Sequence, residues 1–219
     1  MTHRIPEKEI MDSAQNALAY ASADFTEVNQ NFVDHLVKEY SSYLKEVLDL
    51  GTGPADIPIQ LAKSIPNIFI TAVDGSPEMI KIAKEKVQSQ GFSNQIKLLE
   101  AYLPGLPFSP HSFDAIISNS LLHHLPNPMV LWEEIKLLAK RNSIVFIMDL
   151  LRPKSKEIAK NIVETYSKDE HPILKEDFYN SLLAAFTLDE VNEQLKSSGL
   201  TNLNAKIISD RHLLISGIL

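Results

Sequence analysis

The residues of this chain best suited to hold a ligand are a glycine-rich turn and a carboxylate downstream of it. The turn, Gly51-Thr52-Gly53-Pro54-Ala55, follows the apolar stretch Val47-Leu48-Asp49-Leu50. Asp74 comes 21 residues after Gly53, at the end of a second apolar stretch. A glycine turn lets a ligand approach the backbone, and an acid at this spacing can accept hydrogen bonds from ribose hydroxyls. The spacing therefore predicts a site for a nucleotide-like ligand.

The turn is a poor match to a dinucleotide site. Such a site uses G-x-G-x-x-G, so that backbone amides and the helix dipole hold a pyrophosphate. Here Asp56 occupies the third glycine position, and Pro54 removes an amide donor from the turn. Asp49 adds a second carboxylate just before the turn. S-adenosyl-L-methionine (SAM) has no phosphate and carries a sulfonium and an ammonium group, so it suits these carboxylates better.

Further motifs, in the same order and at similar separations, resemble those of the class I SAM-dependent methyltransferases, in particular the small-molecule group with a D-x-G-x-G turn. The resemblance covers residues 45–150 well and the C-terminal part by pattern only. It implies SAM as the cofactor and S-adenosyl-L-homocysteine as its product. The matching motifs after the turn are Asp74-Gly75-Ser76-Pro77-Glu78-Met79, Leu106-Pro107-Phe108, Ser112-Phe113-Asp114, Leu122-His123-His124-Leu125-Pro126 and Ile144-Val145-Phe146-Ile147-Met148-Asp149.

The resemblance also implies which residues bind the cofactor. Asp49 would anchor the ammonium group, and Asp74 would accept hydrogen bonds from both ribose hydroxyls. The alternatives are a helix N-cap or an ion pair for either acid, a plain tight turn for the glycines, and a core position for Met79. The full set expected at the cofactor is Asp49, Gly51, Thr52, Gly53, Asp74, Gly75, Ser76, Met79, Ala101, Tyr102, Leu103 and Asn119.

One segment departs from the family pattern. Relatives often have Gly-Asp-Ala after the third strand, with the acid receiving the adenine amino group, whereas this chain has Ala101-Tyr102-Leu103. Either Tyr102 stacks on or covers the adenine, or Glu100 is the displaced acid.

The acceptor side of the site is predicted from residues that follow the fourth and fifth strands. His124 matches a histidine that often follows strand four in the family, and a neutral imidazole can act as a base near pH 7. The alternative is that His123 or His124 is a structural hydrogen-bonding residue. Arg152 would orient a polar substrate, and the alternative is that it forms an ion pair on the surface. Tyr20 is predicted on a helix that either covers the site or packs on the outside of the sheet. The substrate residues expected are Tyr20, His123, Asp149 and Arg152.

Apolar runs that alternate with amphipathic helices predict a parallel sheet covered on both faces. We therefore expect an α/β fold: a Rossmann-like three-layer α/β/α sandwich with a mostly parallel seven-stranded sheet, an antiparallel last strand and an N-terminal helical cap. Residues 1–219 are expected to form one SAM-dependent methyltransferase domain. Its parts would be the cap at 1–42, a SAM-binding core at 43–152, a helical insertion at 153–186, and a C-terminal helix and strand pair at 187–219.

Composition limits the classes of protein to which the chain can belong. Its 219 residues, with 44% hydrophobic and 22% charged residues, are typical of one globular domain. The sequence contains no run of about 18 apolar residues, so we predict no membrane span. The first residues lack the apolar core of a signal peptide. The absence of cysteine excludes disulfides and thiolate metal sites, and we predict no metal site and a cytoplasmic location. The net charge of −7 argues against nucleic-acid binding.

Together these features predict an enzyme that transfers a methyl group from SAM to a small-molecule acceptor. A monomer and a homodimer are both compatible with the sequence. The rival functions are a SAM-binding protein without transferase activity, a methyltransferase acting on a protein, and a nicotinamide dehydrogenase. The last of these is disfavoured because the third glycine is missing.

Overall fold

The computed structural model of the protein describes residues 3–7, 20, 23 and 25–219. The sequence predicts two helices within residues 7–40, and the first of them falls mainly outside the described residues. Seven strands form one sheet. They are β1 (Glu46–Leu50), β2 (Phe69–Asp74), β3 (Ile96–Glu100), β4 (Phe113–Asn119), β5 (Ala139–Leu150), β6 (Asn204–Ile207) and β7 (His212–Ile218).

The strand order is β3-β2-β1-β4-β5-β7-β6, and β1 to β5 pair in parallel. Strand β7 runs antiparallel to both of its neighbours, β5 and β6. A connection of four residues, 208–211, joins β6 to β7, and so short a link permits only an antiparallel pair. This topology confirms the predicted mostly parallel sheet with its reversed last strand.

Seven helices are found in the described part of the chain. Two hydrophobic clusters cover opposite faces of the sheet: one contains residues of α1, α2 and α3, and the other contains residues of α4 and α7. The predicted three-layer sandwich is therefore confirmed. The helices are α1 (Thr26–Tyr40), α2 (Asp56–Ser64), α3 (Pro77–Ser89), α4 (Met129–Leu138), α5 (Lys156–Tyr166), α6 (Pro172–Ala184) and α7 (Leu188–Ser197).

Helix α1 belongs to the layer that covers the sheet. Phe32 is fully buried and meets Phe146 of β5 edge to face, with ring centroids 5.0 Å apart. Asn29, near the start of the same helix, lines a small cavity beside the glycine turn. The helix therefore packs along the sheet, and only its amino-terminal end reaches the predicted site.

The end of α4 differs from the sequence-based expectation. Apolar periodicity in the sequence predicts a helix from Pro128 to Lys140 and a strand from Ser143 to Leu150. In the structure the helix ends at Leu138 and β5 starts at Ala139. The register with β4 shifts after Phe113, and Asn142 adopts a positive φ of 62°. Such an irregularity leaves no periodic trace in the sequence, because residues that loop out of register obey neither the helix nor the strand period.

Helices α5 and α6 form a separate small cluster with the end of β5. They occupy the predicted helical insertion. Within the described residues, no helix combines the length and the apolar character needed to traverse a bilayer. The division into four parts and the cytoplasmic location stay predictions.

Replacing Thr187 by Ala should destabilise the protein by about 0.5–2 kcal/mol. Thr187 caps α7: its hydroxyl accepts a hydrogen bond from the Glu190 amide at 3.3 Å, and the Glu190 carboxylate accepts one from the Thr187 amide at 2.8 Å. Urea unfolding should show a lower midpoint with an unchanged slope. The matched control is Thr165→Ala on the exposed side of α5, which should cost less than about 0.5 kcal/mol. Equal losses would contradict the capping role.

Candidate functional site

The carboxyl ends of the parallel strands bring together most of the polar residues singled out by sequence. Asp49 lies in β1, Asp74 and Asn119 end β2 and β4, and Asp149 is near the end of β5. In open α/β sheets, ligands bind at this edge, near the point where the strand order reverses. Here the order reverses between β1 and β4.

The glycine turn is anchored on the neighbouring strand. The amides of Gly51 and Thr52 both donate to the Val73 carbonyl at 2.9 Å. Gly51 has a φ of +74°, and a Cβ atom there would meet Leu121 at 3.1 Å, so only glycine fits without strain. Gly53 also has a positive φ, of +54°, but only Tyr20 lies near the position that its Cβ would take, at 4.0 Å. The backbone at Gly53 is therefore open to a ligand.

The Asp74 carboxylate joins the two loops that follow β1 and β2. Its Oδ2 atom accepts a hydrogen bond from the Gly53 amide at 2.7 Å, and its Oδ1 atom accepts one from the Ser76 amide at 2.8 Å. Burial raises the pKa of Asp74, and these backbone bonds partly offset that rise. The helix cap is Ser76, whose hydroxyl accepts from the Met79 amide at 3.3 Å. Each carboxylate oxygen can still accept a second bond from a ligand.

Asp49 is a buried carboxylate with an unsatisfied oxygen. It is 2% exposed, and its Oδ2 atom has no hydrogen-bond partner among the residues the structure describes. Burial raises its pKa to about 7. The nearby Thr52 hydroxyl partly offsets that rise, although its Oγ1 atom makes no hydrogen bond of normal geometry within the described residues. Buried polar atoms are normally bonded, so these two point to a ligand group with positive charge or hydrogen-bond donors.

Aromatic rings close over the glycine turn. Tyr20 and Phe25 contact each other with ring centroids 4.8 Å apart, and burial raises the pKa of Tyr20 to about 12. The cavity beneath them measures about 40 Å³, far below the ~300 Å³ of a typical small-molecule site. A ligand of cofactor size requires Tyr20 to move aside. The cavity is lined by Tyr20, Phe25, Asn29, Asp49, Gly51, Thr52, Gly53, Pro54, Asp56, Ile57 and Asn119.

A larger cavity of about 610 Å³ lies at the opposite end of the sheet. Its lining includes Ala139 at the start of β5 and Leu219 after β7. We place the functional site at the smaller cavity, because the carboxylates and the glycine turn meet there.

The segment after β3 contacts the Asp74 loop. The Tyr102 ring packs on Gly75, where a Cβ atom would come within 2.7 Å of it, and the Ala101 amide donates to the Asp74 carbonyl at 3.0 Å. Tyr102 is nevertheless 53% exposed, so one face of the ring is free for a ligand. Met79 is buried at 3% exposure in α3, and its predicted contact with adenine stays a prediction. The same holds for Leu103.

His123 and Asp149 form a buried pair. The imidazole Nδ1 lies 2.7 Å from Asp149 Oδ1, while Asp149 Oδ2 accepts from the Leu122 amide at 2.7 Å. Burial alone would lower the pKa of His123, but the Asp149 carboxylate outweighs burial and raises it. Burial would likewise raise the pKa of Asp149, and His123 lowers it. The sequence predicted His123 and Asp149 as separate substrate residues, and the structure shows that they are bonded to each other.

His124 pairs with Glu7, a residue that the sequence analysis did not predict to be part of the site. Its Nδ1 atom lies 2.6 Å from Glu7 Oε2, and the Ser181 hydroxyl donates to Glu7 Oε1 at 2.6 Å. Burial would raise the pKa of Glu7, but its bond to His124 outweighs burial and lowers it. Glu7 comes from the N-terminal segment and Ser181 from α6. No sequence signal links them to His124, because all three are remote from one another along the chain.

Arg4 holds the N-terminal segment in place. Its guanidinium donates to the carbonyls of His123 at 2.8 Å, Leu125 at 3.0 Å and Ala184 at 2.6 Å, and it stacks 4.1 Å above the Phe186 ring. These contacts connect the start of the chain, the loop after β4 and the end of α6. Arg4 was also missed by sequence reasoning, for the same reason as Glu7.

Arg152 is not joined to the glycine turn by any of its described bonds. Its guanidinium donates to the Ala185 carbonyl at 3.1 Å and to Glu190 Oε1 at 2.6 Å, and the residue is only 7% exposed. It therefore forms an ion pair between a buried guanidinium and a partly exposed carboxylate, and this pair ties the end of β5 to α7. Its role toward a substrate stays a prediction.

Replacing Asp49 by Asn should stabilise the protein without ligand, and more at alkaline than at acid pH. In the folded state the pKa of this carboxyl is raised from 3.8 to about 7, so it stays protonated over a range in which the unfolded chain ionises. Its contribution therefore reduces stability as pH rises from about 4 to about 7, by at most about 4 kcal/mol in all. Denaturant unfolding near pH 5 and near pH 8 measures the difference between variant and parent.

The matched control for this measurement is Asp169→Asn, because Asp169 is exposed on the surface. It should leave the free energy of unfolding unchanged at both pH values. A gain for Asp49→Asn that is the same at both pH values would contradict the raised pKa.

Comparison with known proteins identifies the family. Residues 42–201 match the family model described as a methyltransferase domain. The chain is 34% identical over 110 residues to a demethylmenaquinone methyltransferase of Porphyromonas gingivalis, a match that spans 50% of this chain and 45% of that protein. It is 28% identical over 165 residues to the enzyme of the same name from Thermotoga maritima, spanning 71% of this chain and 69% of that protein.

Solved structures share the fold. A SAM-dependent methyltransferase from Aquifex aeolicus matches with a TM-score of 0.68 at 20% identity, over 92% of this chain and 97% of that one. The plantazolicin methyltransferase BpumL, solved with SAH, matches with a TM-score of 0.67 at 15% identity, over 94% of this chain and 89% of that one. The chain therefore belongs to the methyltransferase domain family, which confirms the resemblance to class I SAM-dependent methyltransferases predicted from its sequence.

Proposed function

We propose that this protein transfers a methyl group from SAM to a small-molecule acceptor. The observation that carries the proposal is the buried Asp49 carboxylate beside the glycine turn, with an oxygen that makes no normal hydrogen bond to any described residue. A ligand ammonium group would supply the missing partner and favour the ionised carboxylate. A pyrophosphate would meet repulsion from the same group. The site thus suits SAM better than a dinucleotide.

The proposed role of Asp74 is to bind the ribose of the cofactor. Two backbone amides already fix the orientation of its carboxylate, so little conformational entropy remains to be lost when hydroxyl groups bind. Tyr102 lies over Gly75 on the adenine side of Asp74, where its exposed ring face can stack on a base. Asn119 lines the cavity shared with Asp49 and is assigned to the methionine part.

SAM, when bound, supplies a methyl group that its sulfonium already activates. The chain therefore has to orient the acceptor and exclude water. Tyr20 and Phe25 close over the glycine turn and are suited to the second task. Movement of Tyr20 would then gate the entry of the cofactor.

His124 is proposed to accept a proton from an acceptor that must lose one. Glu7 holds its Nδ1 atom, which leaves Nε2 for the acceptor. The buried His123–Asp149 pair is proposed to position the loop, because Asp149 also binds the Leu122 amide in front of both histidines. This arrangement resembles other catalytic histidines that a carboxylate orients.

The names of the relatives support a small-molecule acceptor. Two are called demethylmenaquinone methyltransferases, and a reduced demethylated quinone is therefore the first acceptor to test. The net charge of −7 disfavours nucleic acid. A SAM-binding protein without transferase activity remains the second candidate, because the cofactor residues alone would serve it equally.

Replacing Asp74 by Ala should weaken SAM binding ten- to a hundredfold, which corresponds to about 1.5–3 kcal/mol for charge-assisted hydrogen bonds. Calorimetric titration with SAM and with S-adenosyl-L-homocysteine measures the change. Asp114→Ala is the matched control, because Asp114 also accepts a hydrogen bond from a backbone amide, that of Glu46 at 3.1 Å, but at the opposite end of the sheet. It should bind normally, and an unchanged affinity of Asp74→Ala would contradict the ribose assignment.

Methyl transfer from labelled SAM should appear when the protein is incubated with cell metabolite extracts or with reduced demethylmenaquinone. His124→Ala should lower turnover at saturating acceptor by about 10²–10⁴-fold while SAM affinity is kept, because a general base contributes in this range. His35→Ala, on the exposed side of α1, is the control. Full turnover of His124→Ala would exclude it as the base. SAM binding without any labelled product would instead favour the second candidate.

A further inference from the structure

Three side chains with metal-ligating atoms converge beside the glycine turn. They are Glu7, His123 and His124, and one ligand atom of each lies within 4.8 Å of the others. The two histidines form the short helical turn 122–124. Leu121, the residue before it, packs against Gly51. The cluster therefore adjoins the predicted cofactor site but shares no ligand atom with it.

The donor set is one that proteins use for transition metals. Two imidazole nitrogens and one carboxylate oxygen bind zinc in catalytic sites, where a fourth position stays open. The same donors also suit other divalent ions of the first transition row. Thiolate ligands are not needed for such a site, so the absence of cysteine does not exclude it.

His123 is held in the manner of a metal ligand. Its Nδ1 atom is bonded to the Asp149 carboxylate at 2.7 Å, which leaves Nε2 as the ring nitrogen that can bind an ion. Metal-binding histidines usually donate their other ring nitrogen to a carboxylate, which fixes the tautomer and the ring orientation. Asp149 is itself held by the amides of Leu122 and Leu150, so the orientation of His123 is well determined.

Glu7 and His124 supply the remaining two ligands. Their Oε2 and Nδ1 atoms are 2.6 Å apart and share a proton, whereas two ligand atoms on one zinc ion lie about 3.3 Å apart at bond lengths of about 2.0–2.1 Å. An ion can therefore replace that proton with a small opening of this pair and an approach toward His123. The side chains of His124 and Glu7 are 30% and 11% exposed, so both have room to adjust.

The local charge permits a cation. Arg4 is a positive group close to the cluster, three residues before Glu7. Its guanidinium is bonded to the carbonyls of His123, Leu125 and Ala184. Glu7 and Asp149 supply two negative charges against this one, while the nearby Arg152 is balanced by its ion pair with Glu190. A divalent ion on neutral imidazoles would thus find more negative than positive charge around it.

We propose that Glu7, His123 and His124 form a binding site for a divalent transition-metal ion of the zinc type. This differs from the sequence-based expectation of no metal site, because Glu7 meets the histidines only through the fold. An ion on His124 Nδ1 leaves the proton of the neutral imidazole on Nε2, so His124 could act as the proposed base only in the metal-free protein. The site is independent of SAM, and its test needs neither cofactor nor acceptor.

The test is calorimetric titration of untagged, chelator-treated protein with zinc chloride, followed by titration with cobalt(II) and visible spectroscopy. The parent should bind one zinc ion, and cobalt(II) should develop an absorption band of low-coordinate geometry. Glu7→Gln and His124→Gln should each weaken zinc binding at least tenfold. His35→Gln, an exposed histidine whose Nδ1 contacts the Asn31 carbonyl, is the matched control and should bind as the parent does.

Thermal unfolding of each variant checks that it is folded. Asp149→Asn should weaken zinc binding by about 10–100-fold, because the Asp149 carboxylate fixes the orientation of the His123 ring. A parent that shows no saturable binding would overturn the proposal. So would zinc binding that survives either Glu7→Gln or His124→Gln. Normal SAM affinity in the same variants would show that the cofactor site is intact, which separates this result from a failure of the proposed methyl transfer.

Discussion

The site depends on one carboxylate that holds two loops together. Asp74 ends β2, and its two oxygens accept hydrogen bonds from the amides of Gly53 and Ser76. These amides belong to the turn after β1 and to the start of α3, so the two halves of the site are fixed relative to each other by a single side chain. The parallel pairing of β1 with β2 sets the distance that makes these bonds possible. The ligand-binding geometry is thus a consequence of the sheet.

A second set of contacts assembles the proposed acceptor side from remote parts of the chain. The N-terminal segment, the loop after β4 and helix α6 meet around Arg4 and Glu7. Each contact is polar and directional, and most are made to backbone carbonyls. Such contacts specify position more than they add stability, because each also costs the removal of water from a charged group. The arrangement positions His124 close enough to Asp74 for its charge to affect the pKa of that carboxyl.

Burial then decides the charges at the site. Asp49 and Asp149 are both nearly inaccessible, yet the pKa of the first is raised and that of the second is lowered. The difference lies in their partners: Asp149 has His123, whereas an oxygen of Asp49 has no partner among the described residues. Asp149 is therefore a structural anchor, whereas Asp49 is the carboxylate proposed to receive a positively charged ligand group.

The sequence by itself determined the fold and the residues of the proposed cofactor half of the site. Strand β1, the glycine turn and Asp74 form a local pattern, and alternating apolar runs and amphipathic helices leave few ways to cover a parallel sheet. The register shift between β5 and β4 was not predicted, because Asn142 and its neighbours follow neither the helical nor the strand period. Only the tertiary structure joined Glu7 to His124, His123 to Asp149 and Arg152 to Glu190. These pairs form between segments that are far apart along the chain. Hydrophobic periodicity in a single sequence predicts local structure, but it does not predict which distant side chains come into contact.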